Sequence, residues 1–360
     1  MSRRSPASSA SSADASPRAR ALRWVGTYER DYPRNRVLIA GLAELGIDVE
    51  EQHVALWERE RDKTARGFLS PAGLLRSACR FAGGWARLAP RALSGPRPRA
   101  VVAGYPAQPD ALPAWVVARR HGAPLVVDMM VSLNDTLAGD RRHGGAAMAR
   151  AGELADRLGL ALADLVLVDT AAHAEFFARR FGTPRRRLAV VPVGAEPEPF
   201  APGPLPDGEM PLALFYGKLA PLHGIETVVA AAREPGVPPV RVIGSGQLGG
   251  WLRAELARER PAGMTHVPWV PYEDLGDEVA RASICLGVFG TSEKAGRVIP
   301  NKVWQALAAA RPVITADTPG ARELLTDGVD ALLVPPGDAP ALADACLLYT
   351  SDAADDSAVV

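Results

Sequence analysis

Hydrophobic positions along this chain fall into short runs separated by longer stretches in which apolar residues recur at helical spacing. From Ala21 the runs predict strands over 21–28, 48–54, 99–104, 124–129, 164–169 and 188–193. Helical patterns lie between them, at 36–45, 115–120, 146–160 and 171–181, the first closed by Gly46. A second series follows, with strands predicted over 212–216, 240–243, 265–270, 284–289, 313–316 and 331–334. Short apolar strands alternating with helices imply parallel sheets covered on both faces. The expected class is α/β, with two doubly wound domains facing a central cleft.

The stretch AEPEPFAPGPLPDGEMP separates the two series. Its prolines exclude regular helix and leave few ladder donors. The expected division is therefore a tail over 1–20, an N-terminal domain over 21–194, a linker over 195–211 and a C-terminal domain over 212–345. The first twenty residues are Ser/Ala-rich without an apolar signal core and read as disordered. The last fifteen, CLLYTSDAADDSAVV, continue no periodic pattern. They are expected to be a non-native tail over 346–360 with no apolar face for docking, leaving the chain short of a closing helix.

Composition narrows the function. The chain has 360 residues, nearly half hydrophobic, and a formal net charge of zero. That length accommodates two full cores, and that charge argues against nucleic acid as the main partner. Cys79, Cys285 and Cys346 lie far apart and make neither a ligand spacing nor a disulfide framework. A reducing, cytoplasmic location is expected.

The chemistry concentrates in CLGVFGTSEKAGRVIPNKVWQALAAARPVIT, residues 285–315. It predicts a strand over 285–289, a polar loop over 290–299, a helix opened by Pro300 and a strand over 312–315. Lys294, Arg297 and Lys302 surround a helix amino end, which suits a phosphate. An ordinary strand–helix connection with solvated charges would have the same pattern. Gly244-Ser245-Gly246 after the strand VRVI suits close approach of a ligand, or a tight turn. From 63 to 99 there are many arginines and no acidic residue. Leu74, Ala78, Phe81, Trp85 and Leu88 share a helical face opposite Arg76, Arg80, Arg87 and Arg91, as in a helix lying on an anionic membrane. The same stripe could pack on a sheet.

Four segments together carry a family resemblance. GTYERDYPRNRVLIAGL (26–42), LFYGKLAPLHGIETVVAAA (214–232), VIPNKVWQALAAARPVIT (298–315) and TPGARELLTDGVDALLVPPGD (318–338) resemble the glycosyltransferases of family four. Those enzymes pair two Rossmann-like domains in the GT-B arrangement. The resemblance implies sugar transfer from a nucleotide diphosphate-sugar to a glycan or glycolipid acceptor, with retention, without a metal and without a resident cofactor. Work on a surface polysaccharide at the cytoplasmic side is expected, and the basic pattern of 63–99 adds an expected peripheral membrane contact. The resemblance implies that Lys218 matches the family's basic residue after Gly217, and that His223 stands where a lysine is usual. Gln305 and Arg297 stand at the positions of two glutamates, with Glu293 nearby as a substitute carboxylate. Lys218, His223, Arg297 and Lys302 would neutralise the leaving diphosphate. Gln305 would hold the ribose, Gly26, Gly244 and Asn301 would lie against the donor, and Asp128 would face the acceptor, positioning it or taking its proton. Tyr28, Glu29, Asp31, Ser132 and Asn134 could equally be surface or turn residues. The alternative classes are a nucleotide-sugar epimerase and a non-catalytic sugar-nucleotide or membrane-binding module.

Overall fold

The computed structural model describes residues 21–56, 71–140, 145–206 and 211–352. The expected tail over 1–20 and residues 353–360 lie outside them. Two six-stranded sheets, parallel throughout, form the centres of the two halves. The first is built from β1 (Leu22–Gly26), β2 (Val49–His53), β3 (Ala100–Ala103), β4 (Leu125–Met130), β5 (Leu165–Val168) and β6 (Leu188–Val190). The second is built from β7 (Ala213–Tyr216), β8 (Val240–Ile243), β9 (Thr265–Val267), β10 (Ile284–Leu286), β11 (Val313–Ala316) and β12 (Leu332–Val334). Helices α1 (Pro33–Glu44), α2 (Pro71–Ala92), α3 (Ala111–His121), α4 (Gly145–Leu162) and α5 (Ala171–Phe181) cover the first sheet. The second is covered by α6 (Ile225–Ala231), α7 (Gly249–Arg258), α8 (Tyr272–Ala280), α9 (Asn301–Ala308) and α10 (Ala339–Asp352).

Strand periodicity explains how one sheet serves two layers. In β7, Ala213 and Phe215 enter one apolar cluster with α6, α7 and α10, while Leu214 and Tyr216 enter another with α8 and α9. Strand order decides where a ligand fits. The orders are β2-β1-β3-β4-β5-β6 and β12-β11-β10-β7-β8-β9. The chain therefore reverses direction between β1 and β3 in the first sheet and between β7 and β10 in the second. Such switch points open a crevice at the carboxyl ends of the strands.

Three expectations change. Pro300 is the N-cap of α9 rather than its first residue, with φ −70° and ψ 150°. In α2, Trp85, Leu88 and Ala92 are buried in the core of the first sheet, with Phe81 packed against it. That part of the stripe is therefore not offered to a membrane. Among the described residues no helix is long and apolar enough to cross one. Finally, 346–352 belong to α10, with Cys346 buried in the core and Tyr349 packed against it. Burial pushes the Cys346 thiol up to about 12. The segment does have an apolar face, and it docks on the second sheet.

The described part of the linker is held at two places. Arg311 donates to the carbonyls of Gly203 and Pro204 at 3.0 and 2.6 Å. A side chain at Gly276 of α8 would run into the Pro199 carbonyl, its Cβ only 1.8 Å from that oxygen. Glycine is therefore required where the linker crosses α8.

Candidate active site

The loops after β7 and β10 meet at the second switch point. Gly217, at φ +120°, follows β7, and Gly244, at φ +150°, follows β8. A Cβ at Gly244 would lie 1.9 Å from the Gly217 carbonyl oxygen. Gly244 thus admits neighbouring backbone, which accounts for it without a ligand. Backbone bonds from Phe289 to His223 (3.1 Å) and from Gly290 to Leu222 (3.2 Å) join the two loops into one platform.

Lys302 and His223 meet beneath that platform. From the place a Cβ would occupy on Gly217, Lys302 Cε is 3.7 Å away and His223 Cε1 is 3.8 Å away. Lys302 is 5 % exposed and its Nζ lies 3.6 Å from the centroid of the Phe215 ring. Neither Lys302 Nζ nor His223 Nδ1 has a hydrogen-bond partner among the described residues, although both atoms are buried. Buried polar atoms are nearly always paired. Burial pushes the Lys302 ammonium down to about 7. Burial first, then the charge of Lys302, holds His223 well below the usual imidazole range, against a raising hydrogen bond to the Lys218 backbone. Lys218 itself is exposed beside this pair. The arrangement is a pocket of basic nitrogens with little intrinsic compensation. An anion there would restore charge to Lys302 and give its Nζ a partner.

The other expected donor residues diverge. Lys294 is buried and donates to Thr136 Oγ1 of the first half at 3.0 Å. Arg297 donates to Asp135 Oδ2 at 2.6 Å and to Glu293 Oε2 at 3.4 Å. Its charge is answered by two carboxylates, so in this arrangement Arg297 is not open to a diphosphate. The side chain of Glu293 is 92 % exposed and touches only the rim. Asn301, at the start of α9, sits near the Tyr32 hydroxyl of the first half. Gln305 is buried, with its amide nitrogen 3.4 Å from the Tyr272 hydroxyl.

The first half supplies the opposite wall. Gly26, at φ +141°, turns the chain after β1, and a Cβ there would lie 2.5 Å from Asp110 Oδ2. Asp110 accepts from the Thr27 backbone and from Trp85 Nε1, both at 2.7 Å. Burial nevertheless raises its carboxyl to about 7. Tyr28 is fully buried and donates to Glu51 at 2.8 Å, so it is not a surface residue.

Asp128 requires a correction. It is completely buried within β4, where Arg34 forks onto both oxygens at 2.9 and 3.1 Å. Arg34 also donates to the Val191 carbonyl of the strand-end after β6. Asp128 is thus one side of an internal ion pair joining α1, β4 and β6, and it does not face an acceptor. Asp169 and His173, buried at the start of α5, form a second internal pair through Asp169 Oδ1 and His173 Nδ1. Sequence reasoning missed Asp135, Thr136 and Glu323 altogether, since they lie in a short π-helical turn (Asp135–Asp140) and a 3-10 turn (Ala321–Glu323), too brief to carry a periodic signal.

Residues 211–352 match the family described as glycosyl transferases group 1, and residues 33–194 match the glycosyl transferase 4-like domain. The chain belongs to the group 1 glycosyl transferases. It is 30% identical over 244 residues to a D-inositol 3-phosphate glycosyltransferase of Nocardia farcinica, a match covering 61% of this chain and 52% of that protein. A Rhodococcus erythropolis protein of the same name is 29% identical over 243 residues, covering 61% and 53%. The chain thus spans about half the length of these curated relatives. Among solved structures, HepE of Anabaena in complex with UDP and glucose is similar, with a TM-score of 0.60, 16% identity and coverage of 93% and 91%. Sucrose-phosphate synthase of Thermosynechococcus elongatus gives a TM-score of 0.65, 19% identity and coverage of 93% and 90%. These likenesses establish the two-domain GT-B fold for this group 1 chain.

Proposed function

We propose that this chain transfers a sugar from a nucleotide diphosphate donor to a glycan or lipid-linked acceptor, with retention and without a metal. The observation that carries the reading is the buried pair Lys302 Nζ and His223 Nδ1, unpaired beneath Gly217 at a switch point. Negative charge grows on a diphosphate as it leaves a sugar, and preorganised basic groups in a dry site stabilise it strongly. Lys218 stands at the same loop and would meet the outer phosphate oxygens. Family membership and the UDP-bound HepE structure support a nucleotide-sugar donor. The name of the Nocardia relative places a phosphorylated polyol among the acceptors to examine.

Contact with an anionic membrane remains part of this reading through the outer side of α2. Leu75, Ala78, Cys79, Ala82 and Ala86 face outward there, with Arg76, Arg87 and Arg91 also exposed. A basic, weakly apolar surface suits anionic headgroups.

The test is a screen of nucleotide sugars by thermal shift, followed by nucleoside diphosphate release with and without acceptor. A donor at a hundred times its dissociation constant adds about 2.7 kcal/mol of stability. Acceptor-dependent release supports transfer. Conversion of the sugar without acceptor would indicate an epimerase, and binding without either reaction a non-catalytic module.

A further inference from the structure

The loop over 290–299, expected to hold the diphosphate through Arg297, is bonded to the other half of the molecule. The Arg297 guanidinium pairs with Asp135 at 2.6 Å and covers the Phe176 ring at 4.2 Å. Its backbone carbonyl accepts from Thr170 Oγ1 at 2.7 Å, and Thr170 is the N-cap of α5. One step along the rim, the Glu323 carboxylate accepts from the backbone of Ala171 and Ala172 at 2.6 and 2.8 Å. A carboxylate on the first turn of a helix also meets the positive end of its dipole. Lys294 adds the bond to Thr136 at 3.0 Å.

Both sides of this junction are built to hold it. Asp156 accepts from Ser132 Oγ (2.6 Å) and from the backbone of Leu133 (2.9 Å) and Asn134 (3.0 Å). That fixes the segment presenting Asp135 and Thr136. A Cβ at Gly152 of α4 would lie 2.9 Å from the Asn134 nitrogen, so only glycine lets α4 approach so closely. Opposite, a Cβ at Gly320 would lie 2.8 Å from the Arg297 carbonyl carbon. Gly320 also donates to the Gly296 carbonyl at 3.0 Å, seating the Glu323 turn against the same loop.

We propose that Arg297 is a positioning residue that clamps the donor-binding loop to the first domain through Asp135 and Phe176, making loop order and cleft closure a single event. The inference rests on reading the Lys302–His223 pocket as the donor site. The Arg297 cation is answered across the cleft, by Asp135 of the first domain. Lys294 lies within the same loop and the start of α9 follows it, so both are set in place with it.

The test is a double-mutant cycle of Arg297→Gln and Asp135→Asn, with UDP as the probe nucleotide. Each single variant should raise the radius of gyration of the UDP-bound protein in small-angle scattering. The double variant should add nothing further, because the two residues act as one contact. Calorimetry should give a UDP affinity within threefold of wild type in all three. With a donor that turns over, kcat should fall tenfold or more while the donor KM changes less than threefold, and Arg297→Lys should recover part of kcat. Tenfold weaker UDP binding in Arg297→Gln, with Asp135→Asn unchanged, would place Arg297 on the diphosphate and overturn the clamp. Additive effects of the two substitutions would overturn it equally. If wild type shows no heat with UDP, the donor-site reading fails. The scattering cycle on free protein then still decides whether the clamp exists.

Discussion

Replacing Lys302 by methionine should make the protein more stable and worse at binding a diphosphate. The side chain is buried over Phe215, and its ammonium is pushed from 10.5 down to about 7. For a lysine lowered in the folded state, the unfolded chain binds more protons between those two values. Stability therefore rises with pH across that window, by about 1.4 kcal/mol per unit. At pH 7 the site costs the fold on the order of 4 kcal/mol, and the cost fades as pH climbs past 10. Methionine keeps the length and removes the charge, and it forfeits a cation–ring contact worth roughly 0.5–2 kcal/mol. The expected net gain at pH 7 is about 2–3.5 kcal/mol, read by denaturant unfolding, with the slope over pH 7–10 largely lost in Lys302→Met.

Binding should move the opposite way. An arriving diphosphate favours the charged ammonium, so wild type should take up most of one proton at pH 8. His223, held low by burial, should contribute little. UDP affinity should fall as pH rises from 7 to 9. In Lys302→Met the uptake should vanish and affinity drop by about 1.5–3 kcal/mol, the worth of a charge-assisted contact. Calorimetry in two buffers of different ionisation enthalpy reads both quantities. A destabilised Lys302→Met with unchanged UDP affinity would show that Lys302 serves packing, and the assignment of the pocket would fall with it.

Three other outcomes are expected. Asp128→Asn should cost about 3–5 kcal/mol in thermal unfolding, because it strips one partner from a buried ion pair; a stable variant that has lost turnover alone would return Asp128 to catalysis. Cys346→Asp should lower stability by at least about 2 kcal/mol, since a carboxylate would enter the core under α10; unchanged melting would mean that this segment is not packed there. Turnover should survive EDTA, because basic side chains already answer the diphosphate charge; activity lost with EDTA and restored by magnesium or manganese would contradict this.

The alternation of apolar runs and helical patterns sufficed to read the fold class from the chain, and the ends of β8, β11 and α5 fall where the pattern put them. Strand and helix periods are local properties, written in consecutive residues. The strand-loop-helix after Tyr216 and the helix after Pro300 were legible for the same reason. So was the meeting of Lys218, His223 and Lys302, because both loops leave carboxyl ends of neighbouring strands. What the pattern could not express was partnership over distance. The spacing of Asp128 says nothing of Arg34, 94 residues away, which turns a candidate base into half of an internal pair. Arg297 read as a phosphate ligand until Asp135, 162 residues earlier, was found beside it. The end of the chain shows the same limit. CLLYTSD lacks an obvious stripe, yet Cys346 and Tyr349 reach the core because α10 packs against α6 and β12. A charge is a ligand or a clamp, and a polar tail is loose or packed, according to what tertiary folding sets against it. Electrostatic pairing and burial depend on distances through space that a one-dimensional pattern does not contain.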